Sequence, residues 1–424
     1  MGKTFLLTHF VRERRSLFFG ATQQAEAVEL ARLAEAVRIQ LGDRTADLTG
    51  GAFGSWESAL RALAALASDR ALAVVLDEVP YLARSTRGFA SIVQVLWDHL
   101  PPGTKLMLVL TGSAIGTIEE MLGAHGPLRG RPSVAMRVDP LDPQQARVFL
   151  PRLARVRYLE AYAACGGYPL HLRSWNARAS TRENLLHLAA TAGGVLLEDA
   201  RSMLLEELTD AVGYGRVLAA VGRGKTRYGE IANEAGQRVE AAIETLIRGG
   251  FLRKSLPVGA PKGARPSYEL SDPYVAFWFS CLFGNETAIE GGQGTAVLVR
   301  VAPLWQRHVG WVFEEAARAH AARLVARGTL PRELVVGRWW TATGPQCEVD
   351  VLGLRGRHTA LVGEARWASR PFDDRDVFDL RRKLERVPSP VASPLLAFWS
   401  IRGPSAATRR ARAVAFSLAD ILAA

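Results

Sequence analysis

The feature that most limits how this chain can fold is a set of short apolar runs that never alternate. "SLFFGA", "ALAVVLDEV" and "KLMLVLTGSA" are each too short for a helix and carry no polar face. Between them lie "AEAVELARLAEAVRIQL", "WESALRALAALASD" and "GFASIVQVLWDHL", whose apolar residues recur three and four apart. Unalternated strands separated by amphipathic helices predict a parallel sheet buried on both faces. Residues 1–150 therefore read as one α/β domain.

The rest of the chain divides by pattern into three segments. Residues 151–205 are helical throughout and include the turn "CGGYPL". Residues 206–290 read helix, turn, helix, turn, helix and then two strands around a flexible basic tip, the order of a winged helix. After "EGGQGTA", which reads as a glycine-rich linker, residues 291–424 mix helix and strand: "GWVFEEAARAHAARLV", "CEVDVLGL", "ALVGEARW", "LLAFWSI". There is no internal repeat.

Composition excludes several classes. The three cysteines, Cys165, Cys281 and Cys347, are far apart, which argues against a disulfide framework or a zinc knuckle. No stretch has the roughly 18 apolar residues of a membrane span, and the first residues lack a signal peptide's apolar core. A soluble cytoplasmic protein is the expectation, and the composition leaves room for an oligomer. The net charge of +11 is uneven: residues 291–424 hold twenty Lys and Arg against twelve Asp and Glu, a surplus of +8. That surplus points to a polyanion partner, most simply DNA.

The chemistry begins at "MGKTFLL". Gly-Lys-Thr opening an apolar helical run is the second half of a phosphate-binding loop, G-x-x-x-x-G-K-[ST]. The second apolar run ends in Asp77-Glu78: an acid at the carboxyl end of a parallel strand can hold magnesium, and its neighbour can orient an attacking water. The third run ends in Thr111-Gly112-Ser113, polar groups within reach of a γ-phosphate. Gly112 directly precedes Ser113, so this is not a serine-hydrolase elbow. GKT, then DE, then TGS in that order read as a nucleotide site. A second GKT, in "GRGKTRYGE", has Ala219 where the loop's first glycine should stand and reads as a turn between helices.

On "GKTFLL", "VVLDEVPYL", "LVLTGSAIGTIEEML", "GPLRGR" and "CGGYPLHL" the chain resembles the archaeal-type ATPases of the AAA+ group, close to the signal-transduction NTPase clade. The resemblance implies ATP and magnesium as cofactors. It places Gly2 in the loop, Lys3 on the β- and γ-phosphates, Thr4 and Asp77 on magnesium, Glu78 as catalytic base and Ser113 as polar sensor. Arg129 and Arg131 match an arginine-bearing segment that serves either as a phosphate sensor or as a structural salt bridge. The family's loop runs G-x-x-x-V-G-K-T, so Met1 falls where valine belongs. The expectation is a misplaced start, with upstream codons for the first strand and "G-x-x-x"; the chain as given should bind ATP poorly.

The last segment has the order of a PD-(D/E)XK nuclease core, as in this ATPase family. Glu314 follows Phe313 on a helix, Asp350 lies on a strand, and Glu364-Ala365-Arg366 lies on the next. Side chains repeat every second residue along a strand, so Glu364 and Arg366 share a face. Asp350 and Glu364 are the expected metal carboxylates, with Glu314 assisting. Where the family has lysine this chain has Arg366, a permanently protonated fork that holds phosphate but does not tune a nucleophile. DNA binding with weak or absent cleavage is the expectation. A recognition helix could present Gln237 and Arg238 to a major groove, with Lys254, Lys262 and Arg265 of the wing on phosphates, but Glu240 and Glu244 favour the alternative of a winged helix used for packing or protein contacts.

The favoured reading is a P-loop ATPase, its sheet lacking the first strand, followed by a helical lid, a winged helix and a restriction-endonuclease-like α/β domain. A nucleotide-inactive DNA-binding module and an ATP-regulated, metal-dependent nuclease are the alternatives.

Overall fold

A computed structural model describes residues 2–42, 52–113, 115–207, 211–341 and 347–423. Met1, the residue expected to stand for valine, lies outside them. The chain forms two compact units, residues 1–139 and 140–424.

In the first unit β1 (Ser16–Gly20), β2 (Leu72–Asp77) and β3 (Leu106–Leu110) form a parallel sheet in the order β1-β2-β3. All six residues of β2 are buried. Val74 and Leu76 face a core built with α2 (Glu26–Leu41), α3 (Trp56–Leu66) and α5 (Phe89–Asp98), where Leu33, Trp56 and Phe89 are closed off from solvent. Ala73 and Val75 face the other way, onto Val11 and Phe10 of α1 (Lys3–Val11). A strand covered on both faces has no polar side to show, which is why the β2 run does not alternate; β1 and β3, at the edges, are only partly covered, and Met107 of β3 is exposed. The outer edge of β1 is closed by a side chain: Gln40 accepts from the Phe18 amide (2.8 Å) and donates to its carbonyl (2.9 Å). The amide group thus imitates a neighbouring strand and blunts an otherwise open edge.

The division between units falls before the boundary expected at residue 150. Ala146 and Leu150 are buried in the second unit's core, and the Tyr158 hydroxyl donates to the Pro143 carbonyl (2.5 Å). The three segments expected beyond residue 150 share that core. "EGGQGTA" is not a free linker: Ile289 is buried, and a Cβ on Gly294 would stand 1.7 Å from the Ala190 carbonyl oxygen. Gly294 begins a 33-residue helix, here numbered after α6 (Ile115–Leu122) and the helices α7 to α14 that precede it in the second unit. Those are α7 (Arg155–Cys165), α8 (Pro169–Ser174), α9 (Thr181–Ala189), α10 (Val195–Glu207), α11 (Ala211–Gly222), α12 (Tyr228–Ala235), α13 (Glu240–Arg248) and α14 (Pro273–Phe277); the long helix is α15 (Gly294–Ala326). α4 (Val79–Ser85) follows β2 in the first unit.

Helices α11 to α13 lead into an antiparallel hairpin, β4 (Leu252–Ser255) and β5 (Ser267–Leu270). The second GKT is the turn between α11 and α12, and the Tyr268 amide of β5 donates to Thr226 in that turn (2.8 Å). The hairpin then reaches the last sheet. Five strands, β6 (Leu334–Trp340), β7 (Glu348–Arg355), β8 (His358–Arg366), β9 (Pro390–Ser400) and β10 (Val414–Ser417), lie in the order β10-β9-β8-β7-β6. β6, β7 and β8 are antiparallel, whereas β8, β9 and β10 are parallel. β6 is an edge, and Val258 from the hairpin donates its amide to Arg338 there (2.9 Å). Gly337 permits that approach, since a Cβ would meet Val258 at 2.9 Å. Phe313, Ala317 and Ala321 of α15 pack on one face of the sheet with Trp399. α16 (Asp374–Lys383) covers the other face through Val377 and Leu380, against Val362 and Phe398. α17 (Ala406–Arg410) and α18 (Leu418–Ile421) close the chain.

Among the described residues no helix is long and apolar enough to cross a membrane.

Candidate functional site

The first unit brings six of the expected residues to the carboxyl ends of β2 and β3, where open parallel sheets bind ligands. Gly2 precedes α1 with φ at 81°, a left-handed conformation that glycine adopts without steric cost. Neither a capping side chain nor an acidic residue belongs to the first turn, and the carboxylate that meets it comes from Asp77 at the end of β2. Lys3 extends its ammonium to the Gly112 carbonyl. Beside it the Thr4 hydroxyl donates to Asp77 Oδ2 at 2.6 Å. Asp77 is 4% exposed, and its Oδ1 accepts from the Glu78 amide (3.1 Å).

Glu78 is held in the left-handed region at φ 57° and ψ 44°, a conformation costing a non-glycine residue about 1 kcal/mol or more. The turn aims its carboxylate at Ser113, whose amide (3.1 Å) and hydroxyl (2.8 Å) both donate to Glu78 Oε2. Backbone bonds fix the two strand ends together: Thr111 donates to Leu76 (3.0 Å) and Val79 donates to Thr111 (2.9 Å). Gly112 is required at this crossing, because a Cβ would come within 2.4 Å of Pro80. A hydroxyl and a buried carboxylate in contact, with a lysine alongside, are hard-oxygen donors and a cation suited to magnesium and phosphate. Arg131 is not among the convergent residues. It forms a two-pronged pair with Asp98 at 2.8 and 2.7 Å, holding that carboxyl below its usual range, and Arg129 donates to the Ala124 carbonyl.

In the second unit Glu314 of α15 feels the charge of Asp350 of β7, and Asp350 feels that of Glu364 of β8. Burial first, then the charge of Asp350, pushes the Glu314 carboxyl well above the ordinary range. Asp350 is likewise raised, by burial and then by Glu364, although one of its oxygens accepts from the Ala365 amide at 2.9 Å. Among the described residues, however, no three His, Cys, Asp or Glu side chains are grouped to hold a metal ion. Glu364 instead receives Lys383 Nζ at 2.6 Å, from the last turn of α16.

Lys383 is the residue that spacing did not find, because it arrives from a helix beyond the E-x-R stretch. One signal did exist. The chain has six lysines against forty-seven arginines, and Lys383 is the sole lysine after residue 290. Arg366 does lie on the same side of the sheet as Glu364, since both meet α16. Its guanidinium pairs with Asp376 at 2.6 Å and stands over the Phe372 ring at 4.5 Å.

The expected DNA-reading residues are divided. Gln237 lies before α13 and donates to the Gly213 carbonyl (3.1 Å), so its amide serves packing. Lys254, Lys262 and Arg265 are exposed. The base of the hairpin is clamped: Glu269, 6% exposed, pairs with Arg253 (2.8 Å) and with Arg338 of β6 (2.7 Å). Arg253 also reaches Glu315 of α15, and Arg338 also reaches Glu348 of β7.

Residues 1–174 match the family model of an ATPase domain predominantly from Archaea, a match that spans all six convergent residues. Residues 278–377 match a model of archaeal and bacterial proteins of unknown function, which takes in the carboxylates and stops short of Lys383. An uncharacterized protein of Methanocaldococcus jannaschii, MJECL04, is 25% identical over 393 residues, 91% of this chain and 84% of its own. Of solved structures, the Walker-type ATPase PABY2304 of Pyrococcus abyssi is 20% identical with a TM-score of 0.49, covering 66% of this chain and 87% of that one. The ORC1 protein of Aeropyrum pernix, solved in complex with DNA, is 18% identical with a TM-score of 0.28, covering 70% and 85%.

Proposed function

We propose that this chain is an ATPase of the P-loop, AAA+ kind whose nucleotide state acts on a DNA-associated second unit. The observation that carries the reading is the paired geometry of Thr4 with Asp77 and Glu78 with Ser113 beside Lys3. In it Lys3 holds the β- and γ-phosphates, while Thr4 and Asp77 hold magnesium, which would neutralise phosphate charge when bound. Gly2 leaves the helix start open to phosphate, Glu78 orients the water, and Ser113 reports on the γ-phosphate through Glu78. The archaeal ATPase-domain match over residues 1–174 supports the same reading. ATP turnover by the full chain, lost in Asp77→Asn and in Glu78→Gln with folding intact, is the expected result. Turnover that survives both substitutions refutes it.

For the second unit we read α11 to α13 with the β4–β5 hairpin as a winged helix, after the helical lid of α7 to α10. The β6–β10 sheet with α15 and α16 is read as a nuclease-like domain. Support comes from the E…D…E order, from the layout of antiparallel then parallel strands, and from Lys383 beside Glu364. Lys383 also favours a second reading, a nuclease regulated by ATP. It supplies the compact cation that the sequence lacks at Arg366. Magnesium-dependent nicking of DNA that disappears in Lys383→Ala and in Asp350→Ala supports that second reading, and no nicking by the unaltered chain excludes it.

A further inference from the structure

We infer that the solvent-facing ridge of α16 is a docking surface for the backbone of double-stranded DNA. This rests on the DNA association proposed above and says where it resides. The inner side of α16 is spoken for: Val377 and Leu380 enter the core, while Asp376 and Lys383 reach down to Arg366 and Glu364. The outer side carries Arg375, Arg381 and Arg382, followed by Arg386 just past the helix, all exposed. None of these four has a carboxylate within ion-pair distance among the described residues. The acids at the start of the helix are already engaged, Asp374 by Arg410 and Asp376 by Arg366 and Arg370. Asp379, four residues after Arg375 and three before Arg382, lies on their face, and Glu385 follows the helix; against these two acids stand four arginines, so positive charge prevails.

An aromatic ring interrupts this ridge. Phe378 is 61% exposed, although α16 has a core face that would have taken an apolar side chain. It stands three residues after Arg375 and four before Arg382, hence on the same face as both. Arg375 and Arg382 are two turns apart, about 10.5 Å along the axis, against a major groove about 12 Å wide. A helix laid on that groove places one guanidinium on each facing backbone, where the planar fork suits phosphate. Phe378 then stands between the two guanidiniums, facing into the mouth of the groove. Arginines alone would suit any polyanion; the spacing and the ring between them select a duplex.

The test measures affinity of the full chain for a fluorescein-labelled duplex over a salt series, with thermal melting to confirm folding. Each lost phosphate contact lowers the slope of log affinity against log salt by about 1. Arg375→Ala with Arg382→Ala should therefore cut the slope by about 2 and weaken binding about tenfold. Phe378→Ala should weaken binding with the slope unchanged. The paired lysine variant, Arg375→Lys with Arg382→Lys, should restore the slope, which a merely misfolded variant would not. If the slope stays put in the alanine pair and falls instead in Lys262→Ala with Arg265→Ala, the duplex lies on the hairpin and the inference fails alone. If the unaltered chain retains no duplex at low salt, both the inference and the DNA association fail. Polyglutamate displacing the duplex at equal charge concentration assigns the ridge to an acidic protein and overturns the inference.

Discussion

Lys3 in the first unit and Lys383 in the second both sit beside carboxylates that the fold gathers at strand ends, yet they meet different partners. Lys3 Nζ rests on the Gly112 carbonyl, a neutral acceptor, while the nearby Asp77 is occupied by the Thr4 hydroxyl. Lys383 Nζ rests on a carboxylate, Glu364, and Asp350 adds to the field that keeps it charged. A cation on a carbonyl has its charge left over for an arriving anion. A cation on a carboxylate is already matched, and its removal exposes the acids it was holding together. One lysine is therefore poised for a ligand, whereas the other also serves the fold.

The largest effect expected from this contrast is on turnover. Lys3→Ala should lower ATP turnover by about 100-fold or more, the usual scale for losing a preorganised donor to developing charge. Its melting temperature should stay near that of the unaltered chain, because no carboxylate is orphaned. Turnover that survives, or a large loss of stability, would mean that Lys3 is not held free for an anion.

Lys383→Ala should act on stability. Both partners are 26% exposed, so the cost is discounted from that of a fully buried pair to about 2 kcal/mol in denaturant unfolding. It should also depend on pH. Glu314 and Asp350 have folded pKa values raised above their unfolded ones, so the fold binds protons more tightly than the unfolded chain. Stability from these groups is present at low pH and declines as pH rises from the ordinary carboxylate range toward the raised values. Removing the ammonium steepens that decline, so the penalty should be greater near pH 8 than near pH 5. Glu314→Gln, which imitates the protonated acid, should flatten the same decline and stabilise the chain at the higher pH. An identical penalty at both values would mean that Lys383 contributes nothing to holding the acids.

The two regions also differ in how far their residues show them. Each candidate side chain of the first unit lies at a helix start or within three residues of the end of a strand. The apolar run and the polar residue that ends it thus mark one place together. Asp77-Glu78 and Thr111-Gly112-Ser113 are legible for that reason. The left-handed turn at Glu78 is not, since nothing in "LDEVP" forces a glutamate into a conformation that favours glycine. In the second unit Asp350 and Glu364 are legible by the same rule, but the cation is not. Lys383 is delivered by the packing of α16 on β8, a tertiary fact with no fixed spacing. The glycines of "EGGQGTA" mislead for a related reason. Local composition reads Gly294 as freedom, while its neighbour Ala190, far away in sequence, makes it a close contact.

Charge in the second unit is structural beyond Lys383, at the clamp on Glu269. Glu269→Gln removes the shared carboxylate between hairpin and sheet, yet leaves Arg253 with Glu315 and Arg338 with Glu348. The loss should be about 1 kcal/mol, smaller than for a buried pair left with an unmatched partner. It should be accompanied by faster hydrogen exchange at Val258, whose amide bonds the edge of β6. Exchange unchanged at Val258 would mean that apolar packing against Gly337 alone holds the hairpin down.

The smallest effect belongs to Arg131, the one expected nucleotide contact that the first unit does not bring to Lys3 and Asp77. Its guanidinium is engaged at both nitrogens by Asp98, at the end of α5, and its third nitrogen donates to the Pro127 carbonyl (2.9 Å). A side chain held at all three nitrogens, with its charge matched by a carboxylate, is poorly placed to turn to phosphate, which is the reverse of the state of Lys3. Arg131→Ala should accordingly leave ATP turnover within about twofold, and the pair is solvent-exposed enough for its loss to be slight in unfolding as well. Arg131→Lys separates the remaining possibilities, since lysine keeps the charge and loses the fork. If turnover collapses in the alanine variant and returns with lysine, the charge of Arg131 reaches the nucleotide after all. The first unit would then hold two phosphate cations, one of them matched by an acid, and the distinction drawn between Lys3 and Lys383 would no longer separate ligand chemistry from structure.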